Sequence, residues 1–232
     1  MKKLFITIVS AILCTGMAQA QLPTLSKKEI KQGWKLLFDG KTTNGWKSYR
    51  TGQPFPEKGW VIENGVISVV PQGRGGDIAT VEEFSDFELS LEFLVTKGAN
   101  SGIKYFVLPG TTLGLEFQIL DDDNHPDAKE GRDGNHKQGS LYELLPPSKN
   151  KIDKPLGQWN HARIVARGNK VEHWLNGKKV VEVERFTSEW DALVAKSKYI
   201  NNPGWGTPKK SPILLQDHND AVSFRNIKIR IL

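Results

Sequence analysis

The chain has 232 residues, a formal charge of +6 and one cysteine, Cys14. Intrachain disulfides, Fe–S clusters and all-thiolate metal sites are thereby excluded, because each needs several thiols. The 32 basic and 26 acidic residues are scattered, with no cationic stripe interleaved with aromatics, so nucleic acid is not an expected partner.

Lys2-Lys3, an apolar run over 4–17 and Ala18-Gln19-Ala20 have the form of a secretory signal cleaved after Ala20. The run is shorter than the ~20 apolar residues of a membrane span. Cys14 lies inside it, and Leu13 stands where a lipoprotein signal would carry a small residue. We therefore expect export to the periplasm, no membrane insertion, no lipid anchor, and a single thiol-free domain over 21–232. Ser26 and Glu29 are spaced as a capping box for a helical turn at 27–32.

Strands are predicted at 34–38, 60–63, 66–70, 87–95 and 103–108, then in the run that starts at 113. More follow at 140–145, 159–167, 170–175, 179–183, 213–216 and 222–231. Asn64-Gly65 and Asn176-Gly177 are hairpin-turn signals, and Gly168-Asn169 joins two further strands. Val222 and Phe224 share one parity, whereas Ile227, Ile229 and Ile231 share the other, which predicts a bulge at Arg225-Asn226. Only 188–198 reads as a helix, with Ser188 as its cap and Trp190, Leu193 and Val194 at helical spacing. A dozen short strands and one helix predict an all-β, two-sheet jelly-roll sandwich. Two long irregular segments, 121–139 and 146–158, are of a length that usually carries function.

The run 113–125, LGLEFQILDDDNH, alternates strictly. Leu113, Leu115, Phe117 and Ile119 take one face, and Glu116 and Gln118 the other, before Asp121-Asp122-Asp123 and His125. Lys104 and Phe106 are expected to share a face of their strand. Gln216-Asp217-His218 ends another, and His136 lies in the long loop. Carboxylates, a lysine, histidines and amides together can run acid–base chemistry on a hydroxylated substrate. The His and Asp residues of the loop can alternatively hold a divalent metal ion. His161 and His173 sit inside ordinary strand patterns and read as structural. Trp60 and Trp205 are the candidate platforms for a sugar face. There is no G-x-S-x-G, H-E-x-x-H or G-x-G-x-x-G, so nucleotide and serine-hydrolase chemistry are not expected. Two function classes remain: a glycoside-cleaving enzyme, or a non-catalytic, lectin-like carbohydrate-binding module.

The chain resembles the DUF1080, or 3-keto-disaccharide hydrolase, family. The matching segments are 33–45 (GWKLLFDGKTTNG), 60–65 (WVIENG), 75–80 (GGDIAT), 86–92 (DFELSLE), 100–105 (NSGIKY) and 114–122 with His125-Pro126. Further matches are 139–142 (GSLY), Trp159-Asn160, 171–177 (VEHWLNG), 215–218 and 224–229 (FRNIKI). The resemblance implies a concanavalin-like jelly roll, secretion, and cleavage of glycosides already oxidised to a ketone at C3. It also implies a functional partner, a separate sugar 3-dehydrogenase. For such a substrate the residues suggest Glu116 or His218 as base and Lys104, or a metal in the His/Asp loop, as stabiliser of O3. His125 or His136 would protonate the leaving group. Gln118, Asp122, Gln216, Asp217, Tyr142 and Trp60 would bind the sugar.

Overall fold

The computed structural model describes residues 22–52 and 54–232, so the expected leader and Cys14 lie outside the described residues. The strands are β1 (Lys35–Leu36), β2 (Trp46–Ser48), β3 (Trp60–Glu63), β4 (Val66–Val69), β5 (Ile78–Thr80), β6 (Phe87–Val95) and β7 (Asn100–Tyr105). They continue as β8 (Leu115–Leu120), β9 (Asn160–Arg167), β10 (Lys170–Leu175), β11 (Lys178–Glu184), β12 (Leu214–Leu215) and β13 (Val222–Ile231). One sheet runs β11-β10-β9-β6-β13-β4-β3, with β1 beside β13; the second runs β2-β5-β12-β7-β8. All pairings are antiparallel.

The alternation of β6 puts Phe87, Leu89, Leu91, Phe93 and Val95 into the core, where they meet Ile103, Tyr105, Leu115, Phe117 and Ile119 from the other sheet. Phe93 on β6 and Phe117 on β8 meet edge to face, 6.3 Å between ring centroids. Each such aromatic contributes about 1.5–3 kcal/mol by burial alone. Among the described residues no helix is long and apolar enough to cross a membrane.

Local chemistry explains most element boundaries. Asn64 and Gly65 both take positive φ between β3 and β4, as do Asn176 and Gly177 between β10 and β11, which matches a tight hairpin to the strand twist. The register of β13 on β6 shifts between Arg225 and Lys228, with Asn226 at φ 53°. Ser26 and Glu29 form the capping box of α1 (Lys27–Lys31).

Four expectations are corrected. Residues 140–145 are not a strand: Gly139 (φ 84°) and Glu143 (φ 70°) turn the chain, and Leu141 only bridges Phe117 and Leu145. The helix α2 (Ser188–Ala195) is capped by Thr187, whose side chain accepts from the Trp190 N–H, not by Ser188. A 3-10 turn, Lys198–Asn201, follows it. The first strand shrinks to Lys35–Leu36, while β2 and β5, each three residues long, were not anticipated. Phe106 does not share the face of Lys104. It takes φ 49° immediately after β7, which inverts the alternation. Its ring enters the core against Phe87, and Val107 goes instead to the other face with Ala79 and Leu214.

Candidate active site

The outer face of the five-stranded sheet is the floor of the site. Strand pairing sets Glu116 opposite Lys104 and Gln118 opposite Gly102, and Leu214 beside Lys104. Past the end of β12, the Gln216 N–H donates to the Gly102 carbonyl at 3.0 Å, and the Asp217 N–H to Asp77 Oδ1 at 3.0 Å. The alternation of β8 therefore does separate core from site, but the polar set is not displayed to solvent. Glu116 is 6% exposed and Gln118 1%, because the 140–145 turn and the Lys198–Asn201 turn fold over them.

Two connected hollows lie above this floor. A chamber of about 180 Å³ is lined by Asn100, Lys104, Glu116, Gln118, Tyr142, Lys198, Tyr199, Gln216 and His218, among others. An open cleft of about 740 Å³ is lined by Tyr49, Arg50, Asp77, Lys104, Thr111, Thr112, Gln216 and Asp217. Lys104, Thr112, Leu113 and Gln216 belong to both.

The ammonium of Lys104 stands 3.9 Å from Asp77 Oδ2 and 4.0 Å from Glu116 Oε2. Lys104, Asp77 and Glu116 are all less than a tenth exposed. Among the described residues the Glu116 carboxylate accepts no hydrogen bond, and burial pushes its pKa up, outweighing the pull of Lys104. Burial likewise raises Asp77, against Lys104 and the Asp217 N–H. Gly102 makes room for this arrangement, since a Cβ there would overlap Glu116 Oε1.

The structure gathers Lys104, Glu116, Gln118, Gln216, His218 and Tyr142 around the chamber, and it moves other candidates away. Trp60 is buried, donates from Nε1 to the Gly76 carbonyl at 2.9 Å and packs on Phe224. Trp205 is buried between Tyr199 (4.0 Å) and Trp190 (5.8 Å) in a parallel stack. Neither presents a face to a sugar. Asp122 pairs with Lys151 at 2.6 Å and accepts from the Gln138 N–H, in a different hollow. Asp217 accepts from the Gly76 and Asn219 N–H groups, so it fastens the loop before Asp77.

His136 has no free nitrogen. Nδ1 meets Asp127 at 2.9 Å and Nε2 meets Glu143 at 3.0 Å. Burial alone would lower its pKa, but the two carboxylates outweigh burial and raise it, making an imidazolium clamp. Tyr142 lies on that ring at 4.4 Å and donates to Asp127 at 3.3 Å. His173 is the buried structural histidine expected: Nδ1 faces the Ser140 carbonyl at 3.1 Å and Nε2 the Tyr105 hydroxyl at 2.7 Å. Burial pulls its pKa down to about 4.

The chemistry of the donors tests the metal expectation. Asp121 is saturated by N–H groups of Gly98, Asp123 and Asn124. His125, His218 and Asp220 bring ligand atoms within 4.8 Å of one another. A neutral imidazole, however, has one lone pair, and that of His125 already accepts the Asp127 N–H on Nδ1 at 3.1 Å. Ligating histidines donate from their second nitrogen; this one accepts. His125 therefore fits the role of an N–H donor on the rim, and the cluster does not fit a three-ligand metal site.

Asp77, Asn100, Lys198, Tyr199, Tyr49 and Arg50 were not singled out from sequence. The available signal for Asp77 was Gly75-Gly76 immediately before an apolar pair.

The fold is a jelly-roll sandwich with a polar, carboxylate-lined cleft across its smaller sheet. A carbohydrate-binding module, CBM66 from Bacillus subtilis, shares the fold at TM-score 0.50 and 13% identity, covering 80% of this chain and 95% of that one. Residues 33–230 match the family model of the 3-keto-alpha-glucoside-1,2-lyase-like domain, and the chain belongs to that family of glycoside-cleaving enzymes. A 3-keto-disaccharide hydrolase of Bacteroides thetaiotaomicron is 35% identical over 94% of this chain and 84% of its own length. A Parabacteroides distasonis protein assigned to the glycosyl hydrolases superposes at TM-score 0.82, with 32% identity over 91% of this chain and all of the other.

Proposed function

We propose that this enzyme cleaves 3-keto-glycosides by removing the C2 proton and eliminating the C1 substituent, with water able to add back. The observation that carries the reading is the Glu116–Lys104 pair. A ketone at C3 acidifies the proton on C2, and Glu116, buried and without a hydrogen-bond donor among the described residues, is the base. Burial raises its pKa, which makes its carboxylate the stronger base. As the proton leaves, charge moves to O3, where the Lys104 ammonium stabilises it. His218, on the exposed rim, is the second candidate base. The buried side-chain carbonyls of Gln118 and Gln216, which lack hydrogen-bond partners among the described residues, suit the hydroxyl donors of a sugar.

On this reading a separate sugar 3-dehydrogenase supplies the substrate, and the leader over 1–20 directs the chain to the periplasm. Incubation with an aryl 3-keto-glucoside, beside its unoxidised parent, tests the proposal. We expect release of the aryl alcohol from the keto sugar alone. Release from the parent as well would indicate ordinary glycosidase chemistry using the Glu116 and Asp77 carboxylates.

A further inference from the structure

We infer that Asp77 is the residue that protonates the departing C1 oxygen, at the entrance to a leaving-group subsite walled by Tyr49, Arg50 and Thr111, with Thr112 at its junction with the chamber. The inference rests on the elimination reading above and assigns the one role that reading leaves open. Lys104 stands at the junction of the two hollows. Glu116 lines the chamber and Asp77 lines the cleft, and the two carboxylates stand 4.0 and 3.9 Å from the same ammonium.

O3, the C2 hydrogen and O1 occupy three consecutive carbons of a hexose ring. A substrate with O3 at Lys104 and C2 at Glu116 therefore directs O1 and whatever it carries out of the chamber, past Asp77. The cleft there has several times the chamber's volume, with an aromatic ring, a guanidinium and two hydroxyls in its wall.

The local geometry of Asp77 suits donation. Oδ1 is occupied by the Asp217 N–H, which leaves Oδ2 as the oxygen turned toward Lys104. Asp217 in turn holds the Gly76 N–H at 2.8 Å, so the segment carrying Asp77 is pinned on both sides. Two buried carboxylates share a single ammonium, and burial raises the pKa of both. A pair of carboxylates whose pKa values are pushed apart supplies an acid and a base at one pH.

The step balances. Glu116 takes the C2 proton. The resulting enolate collapses to re-form the C3 carbonyl and a C1–C2 double bond as the C1–O1 bond breaks, and Asp77 gives its proton to O1. For net hydrolysis, Asp77 then takes a proton from water whose oxygen adds to C1, and Glu116 returns its proton to C2.

The test compares Asp77→Asn and Glu116→Gln in the whole protein on two substrates, 4-nitrophenyl and methyl 3-keto-glucoside. Nitrophenoxide departs as a stable anion, whereas methoxide must be protonated. We expect Glu116→Gln to lower kcat similarly on both. Asp77→Asn, which keeps the acceptor for Asp217, should lower kcat on the methyl glycoside about 10²–10⁴-fold, and at least tenfold less on the nitrophenyl one. Equal losses on both, or no loss on the methyl glycoside, would overturn the assignment. If Asn unseats the loop, the wild type decides alone: its rate across a series of aryl leaving groups should depend only weakly on their acidity, and a steep dependence rejects protonation of O1. A wild type that releases neither alcohol removes the elimination reading itself, and this assignment with it.

Discussion

Glu116 is held at a cost the fold does not recover locally. A buried carboxylate without donors is disfavoured when ionised, and its one cation stands at 4.0 Å. Glu116→Gln should therefore reduce turnover of a 3-keto-glucoside about 10²–10⁴-fold while leaving Tm unchanged or higher, as activity assays and thermal melts together will show. His136 behaves oppositely, since its charge is part of the scaffold. Its folded pKa lies above the ordinary 6.5, so its stabilising contribution is complete below that value and disappears as pH rises through the raised one. Melts of wild type and His136→Gln should differ most in mildly acidic buffer and converge in alkaline buffer. A gap that widens with pH would mean that the ring is held neutral.

Among elements, the β7–β8 pair does most to build the site, and Gly102 sets how closely it closes. Gly102→Ala places a methyl where the Glu116 carboxylate lies. Displacement of a catalytic group by about 1 Å costs on the order of 10²-fold in rate, so kcat should fall by that order while the circular dichroism of the sheets persists. The β8 alternation, the Ser26–Glu29 box, the Asn-Gly turns and the β13 bulge were all legible from sequence, because each is a local signal written in a few neighbouring side chains. Asp77 was not, since a three-residue strand shows no period. The 140–145 turn carries Leu141, Leu144 and Leu145 and so reads as a strand, although backbone conformation at Gly139 and Glu143 overrides it. Composition also does not tell which tryptophan stays outside. Trp60 and Trp205, the two platform candidates, are both buried by tertiary packing.

For the whole molecule, one core spans both sheets, and the site rests on its outer surface under a cover running from α2 to β12. That cover is fastened from within. Arg185, 1% exposed, lies 4.0 Å over the Phe106 ring and donates to the carbonyls of Gly206 (3.1 Å) and Pro208 (2.8 Å). The adjoining Trp190–Trp205–Tyr199 stack carries Tyr199 to the chamber wall. Among the described residues no carboxylate lies within ion-pair distance of Arg185, so its partners are dipoles and a π face, shielded from solvent.

Mobile counterions screen exposed charges over about 10 Å at 0.1 M, but they cannot enter this pocket. The cover should therefore keep its seat in brine as in dilute buffer. Titrating sodium chloride to molar levels should leave kcat on a neutral keto sugar nearly flat, while Arg185→Leu, which frees the two carbonyls, should lower kcat at every salt concentration.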